Sequence, residues 1–322
     1  MVHDPSLSMN QCHLYSQKLN NSAALCIEIG QYGRAIFSLT KALKLSRAQS
    51  DESMICTCRC KHCTMDGCIS YTENSPPVSR IRQPGSTTLT NTLCDSTKCG
   101  YVYRRPIRIP PEPIEENHNM GRTLFLIITF NLGLAHHLSA ITKSASLRKI
   151  TKTSEDISRR SETNNDSIKV IRKALQLYEI ADNWHTRIVA SRPPTGQDCD
   201  TAACRLQSIR FRMILANNLS HIHYMSSNHA EQRVFLEHLL STVMVAVEYQ
   251  TRNKRDNIND DSSSISRSNS SWSSNNNENW MEDNSESVPT HRQADLCTTR
   301  NLEGFLMNAS HLFLYRHCAD AA

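Results

Sequence analysis

The sequence predicts an all-α fold, an array of helical hairpins closed by a capping helix and interrupted by long insertions. Three observations carry that prediction. Only 9 glycines and 7 phenylalanines occur in 322 residues, too few to staff the turns of an all-β fold or the Gly-rich loops of a doubly wound α/β fold. Apolar residues recur at helical spacing in separate stretches. Between those stretches lie long segments rich in Ser, Asn, Cys and Pro, and the apolar share of 39% with a mean hydropathy of -0.48 is thin for one continuous core.

The first helix pair is placed at residues 6–49. The run from Leu14 to Gln49 contains no proline, and the Gly30 to Gly33 stretch supplies a turn between two helices. In the second of them Ala35, Ile36, Leu39, Ala42 and Leu43 fall on one stripe of a 3.6-residue helix. Residues 50–119 form a Cys/Ser/Pro-rich insertion expected to be mostly irregular, since Pro76-Pro77, Pro84-Gly85 and Pro110-Pro111 bar a long helix. Within it, Tyr101 to Pro111 combines β-branched and aromatic residues with X-Pro steps and is predicted to be extended, lying across helices.

Residues 120–250 are read as the second and third pairs. Leu124, Ile127, Ile128, Asn131, Leu132, Ala135 and Leu138 keep helical spacing; a polar loop over 143–166 follows, and then a helix burying Ile168, Ile171, Leu175 and Tyr178. A loop over 190–201 holds Pro193-Pro194 and Gly196. Beyond it, Phe211, Ile214, Leu215, Asn218, Leu219 and Ile222 share one face, and Leu236, Leu239, Leu240, Val243 and Val247 another. The Ser/Asn-rich stretch 251–296 is too polar to offset its ordering entropy and is expected to be disordered. Leu302, Phe305, Leu306, Ala309, Leu312 and Phe313 then predict a capping helix within 297–322.

Charge and composition narrow the function. A net +5 is far from the concentrated basic stripe of a general nucleic-acid binder. The N-terminus carries His3, Asp4 and Asn10 with no apolar run of signal-peptide length. The longest apolar stretch, Leu124 to Leu138, is interrupted by polar residues and falls short of the roughly 20 residues of a bilayer span. The expectation is an intracellular, cytoplasmic chain without membrane contact, whose 13 cysteines remain mostly thiols.

The helix pairs share a local signature. Asn21-Ser22-Ala23, Asn131-Leu132-Gly133, Asn218-Leu219-Ser220 and Asn308-Ala309-Ser310 each read Asn, any residue, small residue. A small residue where two helices cross permits an interaxial distance near the low end of about 8–10 Å. An asparagine one turn away lies on the inner groove, where its amide can bond a neighbouring backbone or a bound peptide. The intervals between these asparagines far exceed the roughly 34 residues of a compact helix-turn-helix repeat, which variable insertions account for.

On these residues the chain resembles a degenerate tetratricopeptide-repeat protein. The first unit matches best, with Ala23, Gly30, Tyr32, Ala35, Leu39 and Ala42 at the family's small, glycine, aromatic, alanine, large apolar and alanine positions. Leu132, Gly133, Ala135, Ala174 and Leu175 fit in the second unit, and Leu219, Ser220 and Leu240 in the third. The phrases FNLGLAHHLSAI, KALQLYEIA and FLEHLLSTVM are also similar to a group of microalgal tetratricopeptide-like proteins. The resemblance implies an α-α superhelix that binds a peptide or protein surface in the groove lined by first helices. The positions carried over are Asn21, Asn131, Asn218 and Asn308, with His223 added as a groove candidate. Some members clamp the terminal carboxylate of chaperone tails with lysine, asparagine and arginine; here Asn218 stands where that clamp wants arginine, which disfavours that ligand.

Cys56, Cys58, Cys60, Cys63 and Cys68, with Cys94 and Cys99, form a cysteine-rich stretch in which Cys60, Cys63, Cys94 and Cys99 are the ligand set for a minority zinc reading. The irregular spacing favours a cysteine-rich insertion without metal, and no cofactor is expected. His136, His137, His221, His223, His238, His311 and His317 sit on predicted helices, and His221 and His223, two apart, cannot share a helix face. They are read as partly buried structural histidines. The basic stretch Lys143 to Arg160 lacks aromatics for base stacking and reads as a solvated loop. No nucleophile elbow, phosphate loop, His-Glu-x-x-His or dinucleotide fingerprint occurs. The expectation is a non-enzymatic interaction scaffold with a protein or peptide partner; the alternatives are a nucleic-acid-associated helical repeat and a zinc-binding protein.

Overall fold

The computed structural model describes residues 9–47, 63–76, 100–150, 157–190, 201–264, 301–310 and 312. Among them the fold is all-α, with no strand. Helix α1 (Met9–Glu28) turns at Gly30, φ +78°, into α2 (Tyr32–Arg47). That left-handed turn is a conformation glycine adopts without steric cost. Helices α3 (Met65–Asn74) and α4 (Pro111–Glu115) follow, then the long hairpin α5 (Arg122–Ile150) and α6 (Ile157–Ala190), and the hairpin α7 (Thr201–Met225) and α8 (His229–Ser264). A last helical run, α9, spans 301–310.

Each hairpin packs on itself, and the hairpins stack in chain order, α2 against α5 and α6 against α7. One apolar cluster runs through the stack, from Ala23, Leu39 and Ala42 through Leu124, Ile128 and Phe130 to Phe211, Leu239 and Phe305. Phe130 links neighbouring hairpins, its ring 5.7 Å from Tyr178 and 5.5 Å from Phe211. The small residue of the signature acts where the helices cross: a Cβ on Gly133 would lie 3.0 Å from the Tyr178 ring. Ala23 and Ser220 are likewise buried, whereas Ser310 is exposed.

Several boundaries differ from the sequence reading. The loop placed at 143–166 is helical except for 151–156, which lie outside the described residues, because α5 continues to Ile150 and α6 begins at Ile157. Polarity there was read as irregularity, but the stretch contains no Gly or Pro to stop a helix. Helix α8 extends to Ser264, past the boundary at 250 and into the stretch expected to be disordered; 265–296 and most of the loop at 190–201 lie outside the described residues. The insertion 50–119 holds α3, capped by Thr64 Oγ1 accepting from Gly67 N at 3.0 Å. On α6 the buried face is Ala174, Leu177, Tyr178 and Ala181, and Ile168 is exposed. The segment Arg122–Ser146 is long and apolar enough to cross a membrane, its most apolar 18 residues having a mean hydropathy of 1.7, and it is longer than the stretch read from the sequence. Its most apolar window is 83% buried inside the protein, as the central helix of a helical core is.

Candidate peptide groove and its internal strap

Residues 101–109 run as a strap along the inner helices of the stack. In extended backbone the N–H and C=O of one residue point to the same side, and residues two apart repeat that direction. A carboxamide can therefore close a two-bond ring on one residue of an extended chain, accepting with Oδ1 and donating with Nδ2. Four asparagines do this. Asn21 on α1 accepts from Ile109 N at 2.8 Å and donates to Ile109 O at 2.8 Å. Asn131 on α5 holds Ile107 in the same way, at 2.8 Å for each bond. Asn218 on α7 holds Tyr103, at 3.0 and 3.2 Å, and Asn308 on α9 holds Tyr101, at 2.6 Å for each bond.

The strap thus passes the helices in the reverse of their chain order. All four gripped residues are odd-numbered, as the two-residue repeat requires. Pro106, which has no N–H to give, falls on the other parity.

Two further asparagines, unmarked by the signature, cross-brace this ladder. Asn20 donates to Ile107 O at 3.2 Å and accepts from Asn131 Nδ2 at 2.9 Å. Asn217 donates to Tyr101 O at 3.1 Å and accepts from Asn308 Nδ2 at 2.6 Å. In each case the asparagine preceding one unit's ladder residue reaches the bond pair of the next unit. The doublets Asn20-Asn21 and Asn217-Asn218 are the sequence signal for these braces, and the Asn-x-small triplet marks only the second member of each.

The strap's side chains complete the core. Val102, Tyr103, Ile107 and Ile109 are buried, Tyr103 lies 6.5 Å from the Phe305 ring, and Tyr101 meets Phe305 edge-on at 5.7 Å. Tyr101 passes so close to α9 that a Cβ on Gly304 would stand 2.7 Å from its ring. Burial raises both tyrosines, with Tyr101 pushed up to about 12, so neither hydroxyl ionises in the groove.

Helix α3 covers the strap's outer side. Thr72 Oγ1 accepts from Arg108 N at 2.8 Å, and the Arg105 guanidinium donates to Glu73 O and Ser75 O at 3.0 and 3.1 Å. Arg210 on α7 reaches across to Glu73, to Asp66 at 3.4 Å and to Ser70 at 2.7 Å. Asn301 donates to Glu73 at 2.8 Å, and Arg108 pairs with Glu28. Burial raises the Glu73 and Asp66 carboxyls, and Arg210 acts against that rise.

Behind the ladder sits a buried polar chain. Asn218 Nδ2 also donates to Tyr178 Oη at 3.2 Å, which lies 3.4 Å from His137 Nδ1, and His137 Nε2 is 2.9 Å from His221 Nδ1. Burial, with His221 and Arg104 nearby, drives His137 well below its ordinary value, so the ring is neutral at pH 7.

His223 does not join the groove. Its ring stacks on Phe235 of α8 at 5.3 Å and its Nδ1 is buried without a partner, which corrects the sequence assignment. The reason is rotational: His223 is five residues beyond Asn218, about 500° around a helix of 100° per residue, so it faces α8.

Of the minority zinc ligands, Cys63 is buried with its Sγ 3.3 Å from His118 Nδ1, while Cys60, Cys94 and Cys99 lie outside the described residues. Cys12 and Cys26 are free thiols, and Cys68 is buried. Among the described residues no group of three or more His, Cys, Asp or Glu side chains is placed to hold a metal ion.

Fold and groove together define a class: a stack of helical hairpins that grips an extended chain by its backbone. No protein-family model, curated protein or solved structure matches this chain.

Proposed function

We propose that this protein is an interaction scaffold, without a catalytic step, whose groove binds an extended peptide of a partner protein as a degenerate tetratricopeptide-type array would. The observation that carries the reading is the four-rung asparagine ladder on Tyr101, Tyr103, Ile107 and Ile109. The ladder bonds main-chain atoms only, so it grips any extended segment that lacks proline at the rungs. The core residues around the ladder select the side chains, the division of labour by which extended peptides are recognised.

The groove arginines are engaged by protein groups, Arg210 and Arg108 by carboxylates and Arg105 by carbonyls. That arrangement favours the peptide reading over the nucleic-acid one, which needs a free basic face. Affinity capture from cell extract, comparing wild type with Asn21→Ala/Asn308→Ala at the two ends of the ladder, tests the reading. Partners retained by wild type and lost by the helical, folded variant support it; an identical set of partners refutes it.

A further inference from the structure

The groove is occupied in this structure by the protein's own chain, and the way it is occupied specifies what else fits. The strap brings large apolar side chains at Tyr101, Tyr103, Ile107 and Ile109, and each of these residues gives both its N–H and its C=O to an asparagine. Residues of the other parity give no backbone bond to an asparagine: Arg104 is exposed, Pro106 has no N–H, and Arg108 N–H donates to Thr72 on α3 instead. The hold on the strap is divided between the stack and α3, because the Arg105 guanidinium and Arg108 N–H bind α3 while the odd-numbered backbone groups bind the asparagines. Beyond the strap the chain is fixed on α1, where His13 Nε2 accepts from Met120 N at 2.9 Å and Gln17 donates to His118 O at 2.8 Å.

We infer that the strap is a resident competitor for the groove, exchangeable for an extended partner segment with aromatic-x-aromatic and Ile-x-Ile pairs spaced as in residues 101–109, and without proline at the gripped positions. This rests on the peptide-binding reading above and adds the identity of the gate and the chemistry of the ligand.

A tethered segment competes at an effective concentration of about 1 mM. With a strap of micromolar intrinsic affinity, a free peptide is therefore weakened by a factor of the order of 1,000. The occupied groove is a closed state, and a partner opens it by offering several gripped residues at once.

The probe is a fluorescent synthetic peptide of the sequence 101–110, titrated by polarisation into wild type and into a full chain whose residues 101–109 are replaced by a Gly/Ser run of equal length. The expected result is saturable binding to the replaced chain and binding at least about 100-fold weaker to wild type. A peptide carrying Ile107→Pro should lose binding to the replaced chain, whereas one carrying Arg104→Pro should keep it; equal losses overturn the parity rule. Equal affinity of the parent peptide for both chains overturns the competitor role and leaves the groove reading intact. No binding to a replaced chain of wild-type helicity overturns the groove reading itself. A single Ile107→Pro substitution in the full chain weakens the strap with fewer changes. If neither that variant nor the replaced chain folds, the strap is a permanent part of the core and the exchange proposal fails.

Discussion

Asn131 and Ile107 form a closed hydrogen-bonded ring: the carboxamide oxygen accepts from the amide N–H and the carboxamide nitrogen donates to the carbonyl, each at 2.8 Å and fully buried. The side chain does what a neighbouring strand would do, in a protein whose described residues contain no strand. Stripped of it, Ile107 would bury an unpaired N–H. Its carbonyl would keep only the longer bond from Asn20.

An unsatisfied buried donor costs about 1–3 kcal/mol, so Asn131→Ala is expected to lower unfolding stability by about 2–3 kcal/mol. Asn21→Ala, at the half-exposed end where water can substitute, should cost about 1 kcal/mol or less. Urea unfolding followed by helical signal measures both. Equal costs would mean that the ladder does not gain its strength from burial.

Two helical glycines should respond with opposite signs. Gly33 on α2 has nothing within 4 Å of an added Cβ, so Gly33→Ala gains helix propensity of up to about 1 kcal/mol. Gly133→Ala drives a Cβ to 3.0 Å from the Tyr178 ring and displaces a hydroxyl that Asn218 bonds, a net loss of about 1–3 kcal/mol. A stabilised Gly133→Ala variant would show that the α5 to α6 crossing has room to spare.

Acid should unsettle the fold through its buried histidines. Burial lowers His185 to about 4, from 6.5, and drives His137 well below its ordinary value. Below pH 6.5 the unfolded chain takes up protons that the folded chain refuses, so this contribution to stability falls as pH drops from about 6.5 towards 4. The raised carboxyls of Asp66, Glu73 and Asp182 act the other way, taking up protons in the folded state first. His185→Gln isolates the histidine effect: it should lose less stability than wild type between pH 7 and pH 5, and an equal loss would count against the assignment.

Arg210 faces the buried carboxylate of Glu73 and the half-buried one of Asp66, and removing it takes away the cation that both share, leaving Glu73 with the bond from Asn301. Arg210→Met is expected to cost about 3–5 kcal/mol at pH 7, with a smaller penalty at pH 4.5, where Glu73 and Asp66, already raised by burial, protonate more easily. Unfolding of wild type and variant at the two pH values gives the difference. A penalty independent of pH would mean that Arg210 acts by packing alone.

How much of this was legible without coordinates follows from what each feature depends on. Helical hairpins are local: Ala35, Leu39 and Ala42 recur within one helix, and their spacing places them on the buried stripe. The ladder asparagines Asn21, Asn131, Asn218 and Asn308 were also readable, because the same Asn-x-small triplet recurs in all four units. The extended character of 101–110 was readable from proline and β-branched residues, again a local property, whereas Pro111 begins α4. Helix ends were misjudged where polar residues without Gly or Pro continued a helix, as between Lys143 and Ile150, since polarity reports exposure and not backbone conformation.

The tertiary structure alone decided that the asparagines and the strap belong to each other. Asn308 and Tyr101 are 207 residues apart in sequence, and Asn218 and Tyr103 are 115 apart. No periodicity within a window of one helix connects such positions. It also decided that Asn20 and Asn217 brace the ladder, that α3 covers it, and that His223 turns towards Phe235. Those relations depend on how hairpins rotate against one another, and that rotation is fixed by the packing of the whole stack.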